Sequence, residues 1–278
     1  MGKFDNVIIV SDIDGTFLDS KGKLVPRNLE AVDYFKRGGG HFTVATGREA
    51  FLVPPAIPDI ASIVNAPIIG CNGAYLYDYA EDKYVCEVFL DDEAAFDLVK
   101  RVEEKFGDDE TVGIRVSSDG VEYINRDLKR FSCFKQFSGR HVVTTLDKIP
   151  RGRWHKIAFE CSPDVVERIR KYVYDTDCGK FAYMLACPDN FEVQSPLGTK
   201  GSMLSKLKAY LGNKDAVIYA IGDYENDEIM LRSADRSATP ANGLDSLKSI
   251  PGISIVGTND GGAIADLIEL AEKEQAKK

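Results

Sequence analysis

The chain has 278 residues, 44% hydrophobic and 28% charged, with a formal net charge of −9 and a pI near 5.0. That length allows a substantial core and makes two domains the expectation. The acidic balance argues against a general nucleic-acid or anionic-membrane surface, and any anionic ligand then needs a focused positive site, such as a metal. The six cysteines (71, 86, 133, 161, 178 and 187) form no C-x-x-C pair, so reduced, buried thiols are expected rather than a zinc or redox site. No run reaches transmembrane length, and the apolar N-terminal stretch is too short for a signal peptide. Asn6 stands where a myristoylation signal wants Ser or Thr. A cytoplasmic protein is expected.

VIIV at 7–10 is a short, largely β-branched run, the pattern of a strand buried on both faces. PRNLEAVDYFKRGG follows with helical apolar spacing at Leu29, Val32 and Phe35, a proline at its start and glycines at its end. HFTVATG (41–47) reads as the next strand, REAFLVPPAI (48–57) as a short helix, and PIIGCNGAYLYD (67–78) as a third strand running into a turn. This alternation predicts βαβ units and a parallel sheet. The grammar returns late in the chain: a helix at 200–212, a strand at 216–223 ending in Asp223, a helical segment at 226–234, a strand at 253–257 and a closing helix.

The middle has a different grammar. Residues 91–107 predict an amphipathic helix with a solvated charged face. VGIRVSS and VEYIN flank Asp119-Gly120, a hairpin signal. DLKRFSCFKQF reads as a helix, KIAFECS as a strand, SPDVVERIRKYVYD as a helix capped by Ser162, and FAYMLACP as a strand. The expectation is therefore an α/β protein: a doubly wound parallel-sheet core at 1–87 and 191–278, with an inserted α+β domain at 88–190.

In an open parallel sheet, ligands bind beyond the carboxyl ends of the strands. Polar residues close the candidate strands there: Asp12 and Asp14, Thr46, Asn72 and Asp223. Asp12 and Asp14 share a face if the backbone stays extended, and carboxylates so crowded repel unless a cation is present. Asp223 and Asp227 worsen that repulsion, and a hard divalent ion such as Mg²⁺ relieves it. The remaining residues suit phosphate: the Thr46 hydroxyl, a close backbone N–H at Gly47, the Lys200 ammonium and a sharp turn at Gly15.

Four motifs, DIDGT (12–16), VATGR (44–48), the lysine of GTKGSML (198–204) and GDYENDEIM (222–230), resemble in order those of the haloacid dehalogenase-like phosphatase superfamily. With NGA at 72–74 and an insertion of roughly a hundred residues, the layout is similar to the Cof-type, class IIB branch of sugar-phosphate phosphatases. The resemblance implies that Asp12 is a nucleophile forming an aspartyl-phosphate and that Asp14 is the general acid, then base. It implies Mg²⁺ held by the Asp12 carboxylate, the Asp14 backbone carbonyl and Asp223. Asp227 and Asn226 would orient metal-bound waters and Lys200. Thr46, Lys200 and the first loop, with Gly15 and Thr16, would hold the phosphoryl group, and Gly47, Arg48 and Asn72 line the same site. For Arg48 a salt bridge or loop anchor competes with substrate contact, and for Asn72 a simple turn role does. The implied substrate is a small phosphorylated metabolite, with no nucleic acid or membrane as partner.

Two departures from the family pattern stand out. RSATPANG (236–243) replaces a strand ending in Gly-Asn-Ala, and Gln194 and Ser195 precede the lysine motif in place of more usual residues. In the inserted region, Trp154 is expected in the core or at its rim rather than as a sugar platform, and His155 in a structural role, while Arg115 and Arg140 are read as surface charges, with substrate contact as the alternative. Two other readings compete with a phosphatase. A phosphomutase would need a protected aspartyl-phosphate and a basic cap. A receiver-like signalling domain also uses Asp, Mg²⁺, Thr and Lys, but Asp14 argues for turnover.

Overall fold

Strand β1 (Val7–Ser11) is buried at every residue, as its apolar run requires. In the computed structural model, which describes residues 2–109, 111–126, 141–177 and 179–277, it is flanked in parallel by β2 (His41–Val44) and β12 (Val217–Ile221). With β13 (Arg236–Pro240) and β14 (Ser254–Val256) they form one parallel sheet in the order β14-β13-β12-β1-β2. The helices pair as α1 (Pro26–Arg37) with α8 (Ala263–Gln275), and α5 (Lys200–Tyr210) with α6 (Glu228–Ser233). Both α6 and α8 touch β12, giving the two helical layers of a doubly wound fold. Val32 and Phe35 of α1 join Phe4, Phe42 and Leu267 in the core, and burying each such side chain contributes roughly 1.5–3 kcal/mol.

Two local expectations change. The segment 48–57 makes only a single 3-10 turn at Ala50–Leu52, and the short helix α2 (Ile60–Ile63) comes later. Pro54, Pro55 and Pro58 lack the N–H donors that a helix through this stretch would need. The segment 67–78 is two antiparallel strands, β3 (Ile68–Gly70) and β4 (Tyr75–Asp78), reversed through Cys71 and Asn72 at positive φ. With β5 (Lys83–Glu87) they build a separate three-stranded sheet, joined to the parallel one by the Ala45–Ile69 bridge. A four-residue helix, α7 (Asp245–Lys248), lies between β13 and β14.

These elements make one compact unit, Met1–Cys86 with Lys200–Lys278; Glu87–Thr199 makes the other. In the second unit α3 (Asp92–Phe106) starts at Asp91, whose carboxylate accepts from the Ala94 N–H. Strands β6 (Gly113–Ser118) and β7 (Val121–Ile124) form the hairpin, with Asp119 and Gly120 both at positive φ as a two-residue turn demands. Then come β8 (His141–Val143), β9 (Trp154–Glu160), α4 (Pro163–Thr176), β10 (Ala182–Cys187) and β11 (Asn190–Gln194), in the sheet order β10-β11-β9-β6-β7-β8. Ser162 occupies the cap position of α4, but its carbonyl, not its hydroxyl, accepts from Val165 and Val166. Because β11 pairs with both β9 and β10, the division between units falls after Thr199 rather than at 190.

One face of this second sheet packs on α3 and α4 through Ile114, Val116, Ile157, Phe159 and Val193. The register puts Arg115, Ser117, Glu122, Lys156, Glu160 and Glu192 on the other face. Arg115 is therefore no surface charge: it is 5% exposed, donates to Glu160 (2.8 Å) and Glu122 (3.2 Å), and lies 3.6 Å from Glu192. Cross-strand neighbours on one face bring these charges together. Trp154 lies in the core and donates its indole N–H to the Pro150 carbonyl, and His155 is buried against Phe89 and Glu87. Arg140, Cys133, Cys178 and the helix expected over 127–137 lie outside the described residues. Among the described residues no helix is long and apolar enough to cross a membrane.

Candidate active site

The carboxyl end of β1 carries Asp12 into the first unit's polar centre. Its N–H still bonds to the Ile221 carbonyl of β12, so the backbone is held as if the strand continued, and its own carbonyl accepts from the Ser11 hydroxyl. The adjacent β12 runs into Gly222 and Asp223, and the first turn of α5 supplies Lys200. The Lys200 ammonium lies 2.7 Å from an oxygen of Asp12 and 2.7 Å from one of Asp227. The second oxygen of Asp227 accepts from the N–H groups of Asp223 (3.0 Å) and Tyr224 (3.2 Å). Asp227 thus ties the turn after β12 to the lysine. Gly222 is required there, because a Cβ would come within 2.3 Å of the Asp227 side chain.

Asp12, Asp223 and Asp227 each place a carboxylate oxygen within 4.8 Å of the others. Burial pushes the Asp12 carboxyl well above the usual range; Lys200 pulls the other way, and Asp227, Asp223 and Asp14 push it further. Burial raises Asp223 to about 6 even though the Thr16 hydroxyl donates to it at 2.6 Å. For Lys200, burial opposes the charge, but Asp12 and Asp227 outweigh it and hold the ammonium above the lysine range. One ammonium among three carboxylates leaves an excess of negative charge in a poorly solvated place. An all-oxygen donor set with that excess fits a hard divalent cation such as Mg²⁺.

The first loop wraps this centre. Gly15 has φ +84°, and a Cβ there would meet an Asp223 oxygen at 2.4 Å, so both conformation and proximity demand glycine. Asp14 points elsewhere: its side chain is 55% exposed and is gripped by Arg48, Nε on one oxygen (2.8 Å) and a terminal nitrogen on the other (2.7 Å). Arg48 is thus an anchor for Asp14, the bridge that competed with substrate contact in the sequence. Thr46 is buried, and its hydroxyl oxygen accepts from the Arg48 N–H at 3.1 Å. Asn72 is held at positive φ, its N–H on the Thr46 carbonyl, and its side-chain oxygen accepts from Asn226 at 3.2 Å. A Cβ at Gly47 would sit 3.0 Å from that same oxygen. The fold thus sets Asp12, Lys200, Asp223 and Asp227 in one cluster, with Gly15 and Thr16 against Asp223, and joins Thr46 and Arg48 to Asp14 and Asn72 to Asn226 beside it.

Two contributors are not evident in the motifs. Asn242 donates to the Gly15 carbonyl at 2.9 Å and accepts from the Asn259 N–H at 2.9 Å, pinning the first loop to the turn after β13. Its signal was available in PANG, which departs from the family's Gly-Asn-Ala there. Glu49 is buried beside Arg48 and accepts from the Tyr75 hydroxyl at 2.7 Å, while that hydroxyl accepts from the Ala50 N–H. No spacing in the sequence announces that contact.

Residues 9–268 match the haloacid dehalogenase-like hydrolase family. The chain belongs to that family. It is 25% identical to Phosphatase YwpJ of Bacillus subtilis, over 94% of this chain and 98% of the relative. It is 24% identical to the 5-amino-6-(5-phospho-D-ribitylamino)uracil phosphatase YwtE of the same organism, over 94% and 96%. Among solved structures, the fold is similar to that of BT4131, described as a sugar phosphatase of haloacid dehalogenase subclass IIB, with a TM-score of 0.78, 17% identity, and 95% and 98% of the two chains covered. The protein is a phosphatase-type hydrolase of this superfamily, with the core and insertion of its Cof-type branch.

Proposed function

We propose that this hydrolase is a Mg²⁺-dependent phosphomonoesterase for small phosphorylated metabolites, sugar phosphates first among them, working through an aspartyl-phosphate on Asp12. The observation that carries the reading is Lys200 bridging Asp12 and Asp227, with Asp223 close enough for all three carboxylates to share one cation. Asp12, Asp223 and Asp227, with the Asp14 carbonyl, are the groups we assign to the metal. When bound, Mg²⁺ supplies positive charge that offsets the crowded carboxylates and the phosphate oxygens.

In the first step an Asp12 carboxylate oxygen forms a bond to phosphorus as the bond to the leaving oxygen breaks. Asp14 gives that oxygen its proton. In the second, water attacks phosphorus, the bond to Asp12 breaks, and Asp14 takes the proton from the water. Lys200 holds Asp12 in place and offsets charge on the transferring group, with Thr46, Gly47 and the loop at Gly15 and Thr16 around it. Phosphoryl transfer rests on positioning and charge neutralisation, so this short set of groups suffices. Sugar phosphates are favoured by the subclass IIB sugar phosphatase among the structural neighbours. Leaving-group choice then belongs to residues outside the four motifs.

The test is a screen of purified protein with Mg²⁺ against phosphorylated sugars, polyols, nucleotides and flavin precursors, reading free phosphate. Release of phosphate from sugar phosphates, with acid-quenched wild-type protein carrying a phosphoryl group on Asp12, is expected. Formation of an isomeric sugar phosphate without free phosphate would make it a mutase instead.

A further inference from the structure

Two carboxylates two positions apart meet opposite fates. Asp12 is 6% exposed and held by a lysine; Asp14 is largely exposed yet caught in a two-pronged ion pair with Arg48. An exposed carboxylate with rotatable bonds has no fixed direction unless something holds both oxygens, and a planar guanidinium is the side chain that can. Arg48 is itself fixed. Its side chain is only 17% exposed, its N–H donates to the Thr46 hydroxyl, and the Cys71 N–H bonds to its carbonyl. The next residue, Glu49, is buried against Tyr75.

From this geometry we infer that Arg48 is a positioning residue for the acid/base step: it sets where the Asp14 carboxyl stands, and so how well that group delivers a proton to the departing oxygen. The inference rests on the proposed role of Asp14. Arg48 lies close enough to Asp12 to feel its charge, but the hydrogen bond that holds Asp12 comes from Lys200. Its effect should therefore be largest where leaving-group protonation matters. A displacement of about 1 Å in a catalytic group can cost on the order of 10²-fold, and general acid catalysis spans about 10²–10⁴-fold.

The experiment compares kcat/KM for p-nitrophenyl phosphate, whose phenolate departs without help, and phenyl phosphate, whose phenolate needs a proton. Both measurements use wild type, Asp14→Asn, Arg48→Gln and Arg48→Lys. Asp14→Asn should lose far more on phenyl than on p-nitrophenyl phosphate. Arg48→Gln should show the same bias, losing on the order of tenfold more on phenyl phosphate. Arg48→Lys, which keeps the charge without the fork, should fall between wild type and Arg48→Gln, and it carries the comparison if Arg48→Gln proves unstable. An equal loss on both substrates in the Arg48 variants, with the bias intact in Asp14→Asn, would overturn the role of Arg48 and leave that of Asp14 standing. No bias in Asp14→Asn would instead remove the acid assignment on which the inference stands.

Discussion

Among the described residues, a cluster of buried charge lies in each unit, and the two are built differently. In the second unit Arg115 and Lys156 meet Glu122, Glu160 and Glu192 in the middle of paired strands, where register alone makes them neighbours. In the first unit Asp12, Asp223, Asp227 and Lys200 meet beyond the ends of strands, on turns that need Gly15 and Gly222. The mid-strand cluster interleaves its charges, two cations among three anions. The strand-end cluster gathers three carboxylates around one ammonium. The first falls one cation short and lies within paired strands, where it holds a sheet face together; the second falls two short and lies beyond the strand ends, which is the more usual signature of chemistry.

Breaking the strand-end cluster should stop turnover and spare the fold. Asp12→Asn is expected to lower kcat/KM by more than about 10⁴-fold, with a urea-unfolding midpoint close to wild type, because one of the crowded carboxylates is gone. Breaking the mid-strand cluster should do the reverse. Arg115→Met removes the guanidinium that donates to Glu122 and Glu160, and equilibrium unfolding should show a loss of about 3–5 kcal/mol. If Arg115→Met were instead as stable as wild type but discriminated differently among substrates, this cluster would belong to recognition and the contrast between the units would fail.

Smaller changes sharpen the contrast at the loop that joins β1 to the proposed metal groups. Gly15→Ala forces a Cβ against Asp223 at positive φ, so about 1–3 kcal/mol of strain is expected, read as a lower Tm together with a higher Mg²⁺ requirement in the phosphate-release assay. Asn242→Ala removes one hydrogen bond to that loop. It should cost about 1 kcal/mol, seen as a several-fold drop in kcat/KM with little change in Tm.

The strand-end cluster was legible in the sequence because its members sit in short motifs whose local grammar shows strands stopping at polar residues. The sequence alone places Asp12, Lys200 and Asp223 at one edge and marks the Asp119-Gly120 hairpin. The mid-strand cluster was not legible. Arg115 looks like any polar residue on a half-exposed strand, and only its pairing with β9 and β7 buries it. Strand β11 was missed although Phe191 and Val193 alternate with Asn190, Glu192 and Gln194 in the period-two pattern of a strand, because the boundary expected at 190 cut it away from β10. The Arg48–Asp14 pair spans 34 residues of sequence, and nothing local in either motif tells which partner the arginine will choose.

The central claim is that Asp12, Asp223 and Asp227 share one magnesium ion that the reaction needs. Hydrolysis of p-nitrophenyl phosphate by wild-type protein, measured after EDTA treatment and again after Mg²⁺ is restored, tests it most directly. The account predicts that activity disappears with chelation and returns with Mg²⁺, whereas undiminished hydrolysis in EDTA would contradict it.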